Sequence, residues 1–154
     1  MDIIRPQITH VVPLFRALHA YHVQRRPDIY HCDGTDAEYA AVLQDICDTG
    51  GRLYAHDAGW GLVSYVAARP EDRPRTGLRH DRTAMVIEHL YIAPQVRGLG
   101  LGRALITAVE TWATARGLSR WTVAQDAGNR EASAFYTQIG ADPQAVFRSK
   151  TIGL

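Results

Sequence analysis

Apolar residues recur along this chain with two different periods, and the switches between them order its elements. Residues 2–5 read as a short first strand. Val11, Leu14, Phe15, Leu18 and Tyr21 then repeat at three- and four-residue spacing, the face of an amphipathic helix. Thr9 is one candidate cap for it, and Pro13 suits its first turn better than a deeper position. The helix ends before Pro27, because a residue that precedes proline is pushed out of helical angles. A second helix begins at Thr35, where Thr35 and Glu38 make a capping-box pattern. Tyr39, Val42, Leu43 and Ile46 give it an apolar face, and Gly50-Gly51 stops it. Two strands are predicted at residues 52–56 and 60–68, turned by Asp57-Ala58-Gly59. Residues 69–82, rich in arginine and proline and without a period, read as an exposed loop.

The next stretch carries the densest signal. Residues 85–92 have a strand pattern that Pro94 ends, since proline cannot donate to a sheet ladder. A glycine-rich run follows, Arg97-Gly98-Leu99-Gly100-Leu101-Gly102-Arg103. A helix comes after it, with Leu105, Ala108, Val109 and Trp112 on one face and Gly117 as its closing residue. A further strand is predicted at residues 120–125. A helix capped by Asn129 runs to about residue 139, and one or two final strands lie within 146–152. Strands that alternate with helices in this order imply an α/β sandwich around a mixed sheet.

Size and composition narrow the class. A chain of 154 residues is expected to form one domain, 1–154, with a real core. Lys plus Arg is 17 and Asp plus Glu is 16, a net charge of +1, so no global field draws it to nucleic acid or a membrane. No apolar run approaches the ~20 residues of a membrane span, and the start Met1-Asp2-Ile3-Ile4-Arg5 lacks the pattern of a signal peptide. Cys32 and Cys47 are too few for a disulfide framework, which suits two reduced thiols and a cytoplasmic setting. His19, His22, His31 and Cys32 lie near one another in sequence, but their spacing matches no ordinary zinc motif, and no metal is expected.

A strand, a glycine loop and a helix in that order suit a phosphate. Bare glycine backbone lets successive N–H groups approach an anion, and the first N–H groups of a helix sit at its positive end. The letters exclude two familiar loops. A P-loop needs Lys-Ser/Thr after its last glycine, whereas Arg103-Ala104 follow Gly102. A dinucleotide fingerprint needs a third glycine where Arg103 stands, and normally lies at the first strand.

The spacing Arg97-x-x-Gly100-x-Gly102, a few residues after Tyr91-Ile92-Ala93-Pro94, resembles the acyl-CoA pyrophosphate loop of the GNAT superfamily of N-acetyltransferases. Asn129, Ala132, Phe135-Tyr136 and Gly140-Ala141 resemble the family's next motif, with Ala141 where an aromatic is usual. Together the two motifs cover roughly the C-terminal half of the fold. The resemblance implies a GNAT fold, with a mixed, mostly antiparallel central sheet of about 6–7 strands flanked by about 4 helices. It implies acetyl-CoA as cosubstrate and a primary amine, small or on a protein, as acceptor. It assigns cofactor contacts to Gly98, Leu99, Gly100, Leu101, Gly102 and Arg103, with Arg97 adding charge, and to Asn129. As plain structure, the arginines face solvent and Asn129 is a helix cap, roles that one residue can combine. The backbone N–H groups of Leu90, Tyr91 and Ile92 are implied as donors to the thioester oxygen.

Acetyl transfer needs a neutral amine and a protonated leaving thiolate. An amine with a pKa near ~10.4 is neutral in about 1 molecule of 2,500 at pH 7, a cost of about 4.6 kcal/mol that a general base partly recovers. Tyr136, seven residues after Asn129, stands where the family carries its thiolate-protonating tyrosine; as plain structure it is a half-buried core tyrosine beside Phe135. Glu88, six residues before Pro94, is the candidate base and equally a candidate for a structural ion pair. Strand alternation puts Glu88 with Leu90 and Ile92 on one face and His89 with Tyr91 on the other, unless a bulge resets it. His89 is the second candidate base. Asp28 and Tyr30 lie between two helices that often border the acceptor pocket in this family. A rival reading is a catalytically weak acyl-CoA sensor or interaction module on the same fold. The acceptor, acyl length and oligomeric state are open, a C2 homodimer being the commonest outcome for oligomers.

Overall fold

The computed structural model describes residues 1–153, which divide into two compact units, one ending at Val123 and the other beginning at Ala124. In the first unit the order is β1 (Asp2–Ile4), α1 (Ile8–Arg25), α2 (Asp36–Asp48), β2 (Arg52–Asp57), β3 (Leu62–Glu71), β4 (Ala84–Ile92), a 3-10 turn (Pro94–Val96), α3 (Leu101–Ala115) and β5 (Trp121–Val123). The strands form one mixed sheet in sequential order: β1 to β4 pair antiparallel and β5 joins β4 in parallel.

Alternation along the strands gives the sheet two buried faces. Leu53, Ala55, Tyr65 and Ala67 cluster with Val11, Phe15 and Leu18 of α1 and Tyr39, Leu43 and Ile46 of α2. The intervening Tyr54 meets Trp112 of α3 at 6.4 Å between rings, so α3 covers the opposite face. Leu105, Ile106, Val109 and Trp112 are the buried stripe of α3. On β2 and β3, buried His56 and Ser64 satisfy each other at 2.8 Å.

The second unit contains α4 (Arg130–Gln138). The Asn129 side chain caps it by accepting from the Ala132 N–H at 3.0 Å.

Three expectations are corrected. Among the described residues the sheet has five strands rather than 6–7, because residues 146–152 form no strand; Val146, Phe147 and Ile152 stay exposed, and a strand pattern needs a ladder partner to be realised. Helix α1 starts at Ile8, so Pro13 lies inside it, where its missing N–H leaves the Thr9 carbonyl without its helical donor. The burial of Val11 and Val12 against the sheet carries the helix through that position. Strand β3 continues through Arg69 and Pro70 to Glu71 instead of ending at Ala68. Pro70 is tolerated because the β2 ladder has already ended at Arg52↔Ala68, leaving that stretch paired on one side only. By contrast Thr35 and Glu38 do form the capping box that starts α2, although Val42 on that helix is exposed.

Candidate active site

The glycine loop after β4 is pinned at both ends. Val96 is buried with Val63 and Ala93, and Leu101 packs on the same cluster. The Arg97 side chain donates from Nε to the Ile92 carbonyl at 3.1 Å, tying the loop to the end of β4. Between these anchors Gly98, Leu99 and Gly100 are exposed. Gly98 and Gly100 have φ of 78° and 79°, the left-handed region that favours glycine. Gly100 is the N-cap of α3, and no side chain caps that helix, whereas Thr35 caps α2 and Asn129 caps α4. The first turn of α3 contains no acidic residue and has Arg103 at its third position. The helical ladder starts with Ala104 N–H to Gly100 O, so the N–H groups of Leu101 and Gly102 precede it. Open backbone, a positive helix end and no carboxylate in that turn make an anion cradle.

Strand β4 leads into this cradle with a defined set of donors. Ala93 N–H bonds to Val63 O at 2.9 Å and extends the β3–β4 ladder. Bonded and non-bonded pairs alternate in an antiparallel ladder, so His89 and Tyr91 bond toward β3 while the N–H groups of Leu90 and Ile92 point to the other edge. On that edge β5 pairs only with Met85–Ile87. Of the three residues expected to supply donors, Tyr91 therefore has its N–H directed into the sheet.

At Glu88 the register slips. Ala67 faces His89 and Ala68 faces Ile87, so Glu88 is the extra residue of a β-bulge. The bulge resets the alternation. Glu88 is not on the face of Leu90 and Ile92; with His89 it turns toward α1 and α2. Its Oε1 accepts from Arg69 Nε at 2.6 Å, and Arg69 also donates from Nη1 to Asp45 at 3.4 Å and Thr49 at 3.3 Å on the end of α2. Arg69 escaped sequence reasoning because it stands in an arginine-rich stretch beside Pro70; the signal that would find it is an arginine two residues past Ala67 on the face that carries Tyr65 and Ala67.

His89 is engaged differently. Its ring lies 4.3 Å from that of Phe15, and its Nδ1 is 3.1 Å from the Tyr65 hydroxyl. Burial, helped by the charge of His22, lowers its pKa to about 4, and burial raises that of Tyr65 well above the ordinary phenol. We assign the hydroxyl as donor to a neutral imidazole, which suits both directions. Unfolded His89 takes up its proton near pH ~6.5 and folded His89 only near pH about 4, so the unfolded state binds more protons in between. Stability is therefore expected to fall as pH drops through that window, and His89→Gln to flatten the slope in urea melts from pH 7 to pH 4.

Tyr136, in α4 of the second unit, is half-buried and meets Phe135 at 5.2 Å between rings. Burial raises its pKa to about 12. Asn129 is the α4 cap described above. Among the described residues no three His, Cys, Asp or Glu side chains converge on a metal position, and no helix is long and apolar enough to cross a membrane.

Residues 15–141 match the model of the acetyltransferase (GNAT) family. A tetramutant of the BH1408 protein from Bacillus halodurans has a similar structure, with a TM-score of 0.87 at 19% identity over 99% of this chain and 100% of that one. A ribosomal-protein-alanine N-acetyltransferase from Brucella melitensis biovar Abortus 2308 gives 0.66 at 25% identity over 100% of both chains. Glucosamine-6-phosphate N-acetyltransferase from Arabidopsis thaliana gives 0.68 at 16% identity over 99% of this chain and 98% of that one. No curated protein matches the chain significantly in sequence.

Proposed function

The chain belongs to the acetyltransferase (GNAT) family, and from that premise we propose that it moves the acetyl group of acetyl-CoA to a primary amine by direct attack in a ternary complex. We read residues 1–154 as one such domain, acting in the cytoplasm. The observation that carries the reading is the cradle of Gly98, Gly100 and the uncapped start of α3, set at the end of a β4 edge with outward N–H groups. The cradle holds the pyrophosphate. The N–H of Leu90 or Ile92 meets the thioester oxygen as it gains charge. Glu88 takes the amine proton, directly or through one water, and Tyr136 gives a proton to the departing sulfur.

A second reading has one observation in its favour. Glu88 already accepts from Arg69, which suits a fold that binds acyl-CoA without turning it over. Amine-dependent release of free thiol from acetyl-CoA separates the two. If it occurs, the kcat/KM profile of wild type is expected to have an acid limb that Glu88→Gln removes, with kcat/KM down about 10²-fold on the plateau. A variant that keeps the wild-type acid limb excludes Glu88 as the base.

A further inference from the structure

We propose that Arg69 is a positioning residue for acetyl transfer: anchored on the end of α2, it fixes one oxygen of Glu88 and leaves the other to take the amine proton. This deepens the acetyltransferase reading and rests on it, with Glu88 as the base. The bulge explains why such a residue is needed. Glu88 has no ladder partner of its own, since Ala67 faces His89 and Ala68 faces Ile87. A side chain directly opposite on the next strand would otherwise confine it. An unconfined glutamate spends much of its time in rotamers that point away from any one reacting atom.

Arg69 supplies the confinement from β3. Its Nε donates to Glu88 Oε1 at 2.6 Å, and among the described residues no second side-chain donor reaches this carboxylate. The contact is single rather than the two-point fork that an arginine can offer, so Oε2 keeps its capacity to accept a proton. The Glu88 and Arg69 side chains are 28% and 34% exposed, against 70% for Asp45, so solvent screens the inner contact less than the outer one.

The guanidinium is itself held from the helix layer. Its Nη1 donates to Thr49 Oγ1 at 3.3 Å and to Asp45 Oδ2 at 3.4 Å. The Thr49 hydroxyl gives its own proton back to α2, with the Asp45 carbonyl at 2.8 Å, and so presents a lone pair to Arg69. Leu43 and Ile46 are buried and fix α2 on the sheet just before this turn. There α2 and β3 meet backbone to backbone. A Cβ added to Gly51 would strike the Ile46 carbonyl and lie 2.7 Å from that of Ala68, the residue before Arg69. Pro70 follows in the same strand and keeps Arg69 extended. The bond to Glu88 therefore starts from a fixed backbone and a fixed guanidinium.

The test is a double-mutant cycle on thiol release from acetyl-CoA, run with the fastest of spermidine, glucosamine, phenethylamine and alaninamide. Arg69→Met is expected to lower kcat about 10-fold with the acetyl-CoA dissociation constant within about twofold. Arg69→Lys, a point donor without the planar fork, is expected to recover part of that loss. In a Glu88→Gln background, Arg69→Met is expected to change kcat by less than about twofold, because Arg69 acts through a carboxylate that is no longer there. An equal loss in both backgrounds would make Arg69 only a tie between α2 and β3 and overturns the proposal, as does wild-type kcat in Arg69→Met. Should Arg69→Met not fold, Asp45→Asn at its exposed position completes the cycle from the outer anchor. A kcat loss that vanishes beside Glu88→Gln then supports the proposal, and no loss, or an equal one, overturns it. Wild-type kcat in Glu88→Gln overturns the base and Arg69 together. No release with any amine, from a protein that binds acetyl-CoA, overturns the transferase reading itself.

Discussion

Tyr136→Phe is expected to lower kcat about 100-fold while leaving the acetyl-CoA dissociation constant within about twofold. The phenylalanine keeps the ring and its contact with Phe135, so packing in α4 changes little. What it removes is the one proton that the proposed chemistry needs from this residue. With a pKa near 12, Tyr136 is a phenol throughout the working pH range and can always donate. Proton transfer to an ordinary thiolate, with a conjugate acid near ~8.5, would be uphill. The same burial that raises the phenol also raises a thiolate formed beside it, and the hydrogen bond strengthens only as the C–S bond breaks. The loss should therefore appear in kcat rather than in binding. Steady-state thiol release with calorimetric titration of acetyl-CoA checks both halves, and an unchanged kcat removes Tyr136 from the mechanism.

Gly100→Val is expected to weaken acetyl-CoA binding by on the order of 10²-fold. Among the described residues beyond its chain neighbours, nothing lies within 4 Å of an added Cβ at this position, so no clash across the fold opposes the substitution. Two other costs do. With φ at 79° a β-branched residue is strained by about 1–2 kcal/mol, enough to lower Tm by roughly 2–8 °C at this size. The open space beside Gly100 is also where an anion would approach the first N–H groups of α3, and a side chain there holds the phosphate off. Gly77→Val is the control, since Gly77 also has open space around an added Cβ and lies in the exposed loop between β3 and β4. It should leave affinity unchanged. A Gly100 variant that loses stability but keeps wild-type affinity would confine this glycine to a structural turn.

The contrast between Gly100 and Glu88 says how much the sequence can tell. The order of strand, glycine loop and helix was legible because its signals are local: Pro94, Gly98, Gly100 and the apolar stripe of α3 act through their immediate neighbours. The capping box at Thr35 and the cap at Asn129 were legible for the same reason. Glu88 was identified as a candidate, but its face was not, because the bulge arises from pairing with Ala67 and Ala68 on another strand. Arg69 was hidden behind Pro70, which reads as loop until one knows that the β2–β3 ladder ends at the Arg52↔Ala68 pair. The strand pattern of residues 146–152 was a true local preference, unrealised because the described residues offer it no ladder.

Whether residues 97–103 hold the pyrophosphate of acetyl-CoA is read by a thermal melt with acetyl-CoA, free CoA, NADH and ATP in parallel. A ligand at about 100 times its dissociation constant stabilises by ~2.7 kcal/mol, a rise of roughly 5–10 °C at this size. That rise is expected with both CoA species alone. A rise with NADH or ATP and none with either CoA species would contradict it, and the acetyltransferase mechanism would fall with the cradle.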